Sequence, residues 1–128
     1  MHSSLDMFQT AHAMARHAAA RQAIVAQNIA NADTPGYQAQ HIQPFKDVFQ
    51  NAPQTGMRAT RPEHVTFADT NAPAAVSVVS TSEPAPNGNT VSIEEEMMNS
   101  VAISREHNRA LTIYRHTMTI LRTSLGRN

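Results

Sequence analysis

Between Leu5 and Ala32, small and apolar side chains return at alternating steps of three and four, with neither Gly nor Pro among them. That period predicts one long helix, and the abundance of alanine favours it. Its best row is Phe8, Ala11, Ala15, Ala18, Gln22, Val25, Ile29 and Ala32, which at about 1.5 Å per residue belongs to a rod roughly 40 Å long. Asn31, Asp33, Thr34, Pro35 and Gly36 then stop it. Proline disfavours helix in the residue before it, and Thr34-Pro35-Gly36-Tyr37 suits a type II turn with Gly36 at the position of positive φ.

From Gln38 to Gly88 the pattern dissolves, and six of the seven prolines lie there. Phe45 to Phe49 is expected to make a helical turn. Glu63 to Ala68 and Ala75 to Val79 alternate β-branched residues and are expected as short edge strands. A second long helix is predicted from Ile93 to Leu125. Ser92 followed by Glu95 fits a capping box, and Glu94, Glu95 and Glu96 put negative charge at the positive end of the helix dipole. Its apolar row is Met97, Val101, Ser104, Asn108, Leu111, Tyr114, Met118, Leu121 and Leu125, with Gly126 as the stop. The chain therefore divides into an N-terminal helix with its exit turn (1–37), a proline-rich middle (38–90) and a C-terminal helix (91–128). The expected fold is mainly α: the two terminal helices pack as a coiled-coil-like hairpin, and the middle is mostly irregular with a little β.

Composition makes that hairpin incomplete. Of 128 residues 20 are Ala, whereas Leu, Ile, Val and Phe together number 23, below the large-aliphatic share of most self-sufficient domains. Net charge is zero, so charge repulsion is not what would hold the chain open. Two helices close no core, and each retains an apolar flank, with Met14, Ile24 and Val25 on the first and Ile103, Ile113 and Ile120 on the second. Packing of such flanks on copies of the chain or on related chains would complete the burial.

The residues point away from catalysis. There is no cysteine and there are only four glycines, at 36, 56, 88 and 126, so thiolate chemistry, disulfides and a phosphate-cradling loop are excluded. Seven histidines invite a metal reading, but His12 and His17 do not share a helical face and no ligand spacing recurs. Glu94 to Glu96 could supply paired carboxylates, though a helix start explains them better. No catalytic set, metal site or cofactor can be nominated. Neutral charge argues against nucleic acid, and no run is long and apolar enough for a bilayer span. The first thirty residues lack the basic start and continuous apolar core of a cleavable secretory peptide. Arg105, Arg109, Arg115, Arg122 and Arg127 make the C-terminal helix basic and fit a solvated face or pairing with Glu94 to Glu96 of a neighbour.

The run from Arg21 to Tyr37, with Asn28-Ile29-Ala30-Asn31-Ala32-Asp33-Thr34-Pro35-Gly36-Tyr37 at its heart, resembles the N-terminal signature of the bacterial flagellar axial proteins. The absence of an insertion between Asp33 and Gly36, the length and the ending Ile120 to Gly126 look most like the proximal-rod members of that family. Arg58 to Val65, Asn89-Thr90-Val91 and Glu94 to Met97 are similar to weaker family patterns. The resemblance implies a non-enzymatic subunit of the basal-body rod in the periplasm, exported unfolded through the flagellum's own type III apparatus without signal cleavage. Its implied partners are copies of itself, other rod proteins, the rod-base adaptor, the membrane ring and the export gate. Asn28, Asn31, Asp33, Thr34, Pro35, Gly36 and Tyr37 would carry the turn by which the chain leaves the inner layer, with Asn28 and Asn31 bonded to backbone there. A helical-hairpin adaptor or chaperone-like protein that binds one partner helix is the alternative.

Overall fold

The structure, a computed structural model, describes residues 2–51 and 77–126. Helix α1 runs from His2 to Ala30, strand β1 from Gln40 to Ile42, helix α2 from Phe45 to Asn51, strand β2 from Ser77 to Val79, and helix α3 from Ile93 to Ser124. Both long helices match their predicted extents to within about three residues, and α2 covers the helical turn expected at Phe45. The strand expected at 63–68 and the family-like stretch at 58–65 lie outside the described residues. Ser77 to Val79 is a strand as expected, and the partner it finds is β1, antiparallel, with Gln40 opposite Val79 and Ile42 opposite Ser77.

Helices α1 and α3 are antiparallel. Phe8 meets Tyr114 edge to face at 5.2 Å between ring centres, Arg21 donates to Glu106 at 2.7 Å, and Asn28 reaches Glu96. The caps follow from sequence. Ser92 Oγ accepts the Glu95 N–H at 3.4 Å, as the capping box requires of its first residue. At the other end Leu125 N–H returns to the Leu121 carbonyl and Gly126 takes φ +68. The core is thin: Ala18, Val25 and Ile103 form its buried apolar cluster.

The sequence places the helices correctly but mis-sets their rotation. On α3 the buried residues are Glu96, Ile103, Ala110 and Thr117, spaced by sevens. The predicted row Met97, Ser104, Leu111 and Met118 is displaced from them by one residue, about 100° around the helix. Met97 is 61% exposed and Val101 54% exposed, Tyr114 and Leu125 are also exposed, and Leu111, Met118 and Leu121 are half-buried. On α1 the row Ala11, Ala18 and Val25 is buried as predicted, but its companion row is not the expected one. Asn28 is buried and Met14 and Arg21 are half-buried, whereas Ile29 and Gln22, one residue later, are exposed and Ala15 and Phe8 are half-buried. The physical reason is polar: a hydrophobic count passes over Glu96, Arg21 and Asn28, and these are the side chains that meet between the helices.

Both displaced rows are shifted in the same sense along their own helix. In an antiparallel pair that puts them on one side of the hairpin. An apolar groove of about 540 Å³ lies there, walled by Ala19, Ala23 and Ala26 of α1 and by Ser104 and Asn108 of α3, and among the described residues only these two helices line it. On the other side β1 and β2 help to line the corresponding groove, with Arg21, Ile24, His41 and Asn99 among its walls. The hairpin thus has a roofed face and an open face.

Candidate functional site

The end of α1 is built from short-range rules. Asn31 N–H still makes its helical bond to the Gln27 carbonyl, and the Asn31 side-chain amide doubles up on that carbonyl at 2.8 Å. Thr34 Oγ donates to Asn31 Oδ1 at 3.2 Å. Tyr37 N–H closes the turn on the Thr34 carbonyl at 3.2 Å, with Pro35 second and Gly36 third at φ +71, the type II arrangement expected. Asp33, Thr34, Pro35 and Gly36 are exposed around the bend.

Asn28 sits beneath this turn and is 0% exposed. Its side-chain amide donates to the Gln40 carbonyl at 2.7 Å and to Glu96 Oε1 at 3.1 Å. Its Oδ1 accepts the Gln40 N–H at 3.1 Å and the Tyr37 hydroxyl at 3.3 Å. An asparagine amide offers two donors and two acceptor lone pairs, so its capacity is filled. One side chain thereby ties α1 to α3, to β1 and to the exit turn. Asn28 and Asn31 both donate to backbone carbonyls, those of Gln40 and Gln27.

Sequence reasoning placed Asn89 in a weak family pattern but gave it no task. Its side-chain amide lies within 2.8 to 2.9 Å of three carbonyls, those of Asn31, Ala32 and Thr34, and its Oδ1 accepts the Val91 N–H at 2.7 Å. Carbonyls at a helix end have no partner within the helix, and here a residue from the far end of the middle segment supplies one. Around it Gly36 N–H donates to the Asn87 carbonyl, Thr90 N–H to the Tyr37 carbonyl, and Ala39 N–H to Thr90 Oγ1. No local signal in the sequence could connect Asn89 to residues 31–37.

Two titratable groups are buried here. Glu96 was read as a dipole charge beside Glu94 and Glu95. Those two are exposed, whereas Glu96 is 1% exposed and its Oε2 has no partner among the described residues. Burial raises its pKa above the ordinary carboxylate value, against the opposing pull of the Asn28 bond and of His41, whose Nδ1 lies 3.8 Å away. His17 is also buried, edge-on to Phe45 at 5.6 Å, with neither ring nitrogen bonded among the described residues. Burial lowers its pKa, Arg21 adds to that, and Glu106 works against it. Among the described residues no three metal-capable side chains cluster, and no helix is long and apolar enough to cross a membrane.

The arrangement therefore consists of a locked exit turn and an apolar face that nothing among the described residues covers. Residues 11–38, which hold most of α1 and the whole exit turn, match the family model for flagella basal body rod proteins. The chain is 32% identical to the flagellar basal body rod protein FlgB of Agrobacterium fabrum over 123 residues, which cover 91% of this chain and 92% of that one. It is 39% identical to the flagellar basal body rod protein FlgB of Escherichia coli over 87 residues, 61% of this chain and 62% of that one. Two long helices and an Asn28-centred exit lock are thus carried on a sequence whose likeness to the Agrobacterium rod protein runs nearly end to end, and the chain belongs to the FlgB-type flagellar basal body rod proteins.

Proposed function

We infer that this chain is a structural subunit of the proximal part of the rod, which assembles through its terminal helices and helps to connect the membrane ring and export gate to the distal rod. Neighbouring copies and other rod proteins cover the open face of the hairpin, and the exit lock sets the direction in which 38–90 leaves the helical layer. The subunit is non-enzymatic and travels through the flagellum's export apparatus without a cleaved signal peptide. The observation that carries this reading is the matched displacement of the apolar rows. Ser104 and Asn108 of the displaced α3 row line one groove with Ala19 and Ala23, on the face that no other part of the described chain covers, and Met97 and Val101 of the same row are exposed. Exposed apolar surface of this kind is stabilised by burial against a partner.

The test is genetic and structural together. Wild-type chain should copurify with hook-basal bodies at their inner end, and Val101→Glu or Ala23→Glu should abolish motility and incorporation while the variant is still exported. Full motility in both variants would sink the assignment of the open face. Recovery of the chain only as a one-to-one complex with a single soluble partner would replace the rod reading by that of a helix-binding adaptor.

A further inference from the structure

We propose that the Asn87–Gly88 bond is a site of spontaneous chemical modification, deamidation through a succinimide, and that the docked exit turn holds this reaction back. Asparagine is a thermolabile side chain, and it is most exposed to ring closure when the next residue has no Cβ to obstruct the approach. Gly88 provides that at the exposed tip of the loop before α3.

In the reaction the Gly88 amide nitrogen attacks Asn87 Cγ. The N–Cγ bond forms, the Cγ–Nδ2 bond breaks, and ammonia leaves with the proton that the Gly88 nitrogen gives up. Water then opens the ring. Cleavage of the new N–Cγ bond leaves aspartate, whereas cleavage of the original main-chain bond leaves isoaspartate, with one extra methylene in the backbone. Nothing is oxidised or reduced.

The fold opposes each requirement of the first step. The nitrogen must lose its proton, yet Gly88 N–H donates to the Ala85 carbonyl at 2.7 Å. The Asn87 side chain must turn towards that nitrogen, yet its Oδ1 is held by Asn89 N–H at 3.0 Å. The peptide between them must rotate, yet the Asn87 carbonyl is gripped by Gly36 N–H at 3.0 Å, and Gly88 stands at φ +80 against the Gly36 backbone. Reaction therefore needs the loop to leave the exit turn. The consequence is specific to this chain. The extra methylene of isoaspartate displaces the Asn87 carbonyl from Gly36 and pulls Asn89 off the end of α1, so a chain that ages before it docks this loop loses the lock that fixes its exit.

The experiment incubates the full-length chain at neutral pH in buffer and in concentrated urea, with peptide mass spectrometry and an isoaspartate assay read over time at Asn87. The expected result is conversion in urea and a rate in buffer about tenfold lower or less, as local opening would limit it. Gly36→Val in buffer should move the rate towards that in urea. Equal rates for wild type in buffer and urea would overturn the guarding role, and no conversion at Asn87 in urea would overturn the site.

Discussion

The side-chain amide of Asn28 faces the carboxyl of Glu96 at 3.1 Å, and the two are the most thoroughly buried large polar residues on their respective helices. Their contact fixes α1 against α3 at the end where the chain turns out of the helical pair. Because Asn28 also fills the Gln40 peptide's donor and acceptor, the same contact sets where β1 begins. A buried side chain whose donors and acceptors are all bonded, as those of Asn28 are, specifies one arrangement, and its loss leaves its partners stranded.

Replacing Asn28 by Ala strands the Gln40 N–H and carbonyl and one Glu96 oxygen. This should destabilise the fold by about 3 kcal/mol. Replacing Asn31 by Ala removes only solvent-reachable bonds and should change stability by less than about 1 kcal/mol. Urea denaturation of the two variants checks this, and equal midpoints would show that the Asn28 node is not a structural lock.

Glu96 and His17 should give opposite pH dependences. Burial raises Glu96, so between its ordinary 4.5 and the raised folded value the folded chain holds more protons than the unfolded one. Stability from this group is then present at acid pH and is lost as pH rises through the folded value. Glu96→Gln keeps an oxygen for Asn28 and should remove that decline.

For His17 the sign reverses. Burial lowers its folded value below 6.5, so the unfolded chain binds the extra proton and stability falls as pH drops through 6.5 towards the folded value. His17→Leu should flatten this acid-side loss. Denaturation midpoints measured from pH 4 to pH 8 separate the two effects by sign, because Glu96→Gln should remove a fall in stability with rising pH and His17→Leu a fall with dropping pH.

Gly36 and Gly88 both hold positive φ, at +71 and +80. A Cβ on Gly36 would meet nothing within 4 Å, and one on Gly88 would sit at ordinary contact distance, 3.4 Å, from Gly36 Cα. Alanine at either position should therefore cost only the left-handed backbone strain, about 1 to 2 kcal/mol, and valine at Gly36 more, because a β-branched side chain tolerates that region poorly. Thermal melts provide the comparison. A much larger loss for Gly88→Ala than for Gly36→Ala would mean that the loop packs more tightly on the turn than this geometry allows.

Asn89→Ala should fray the last turn of α1 without touching its middle. Three carbonyls and the Val91 N–H each lose a hydrogen bond, and a buried group left unsatisfied costs about 1 to 3 kcal/mol. Amide exchange should rise at Val91 and around residues 30–34 while the segment near Ala18 stays protected. A uniform rise along α1 would place the role of Asn89 elsewhere.

The sequence by itself determined the two long helices, their ends, the type II bend and the short helix at Phe45. Each of these depends on neighbours within a few positions: a period near 3.6, a capping serine, a proline with a following glycine. The Asn28 to Tyr37 run was legible for the same reason, and it carried the family with it. Only the tertiary structure decided how far each helix is rotated, because that is set by which polar side chains find partners across the gap. Arg21 with Glu106 and Asn28 with Glu96 turn both helices about one residue away from the rows that hydrophobicity favours. The same holds for Asn89, whose carbonyl partners lie more than fifty positions away, and for β2, whose register on β1 is fixed by pairing rather than by its own pattern. Local physics names the elements of this chain; the pairing of its buried polar groups chooses which apolar face is left open.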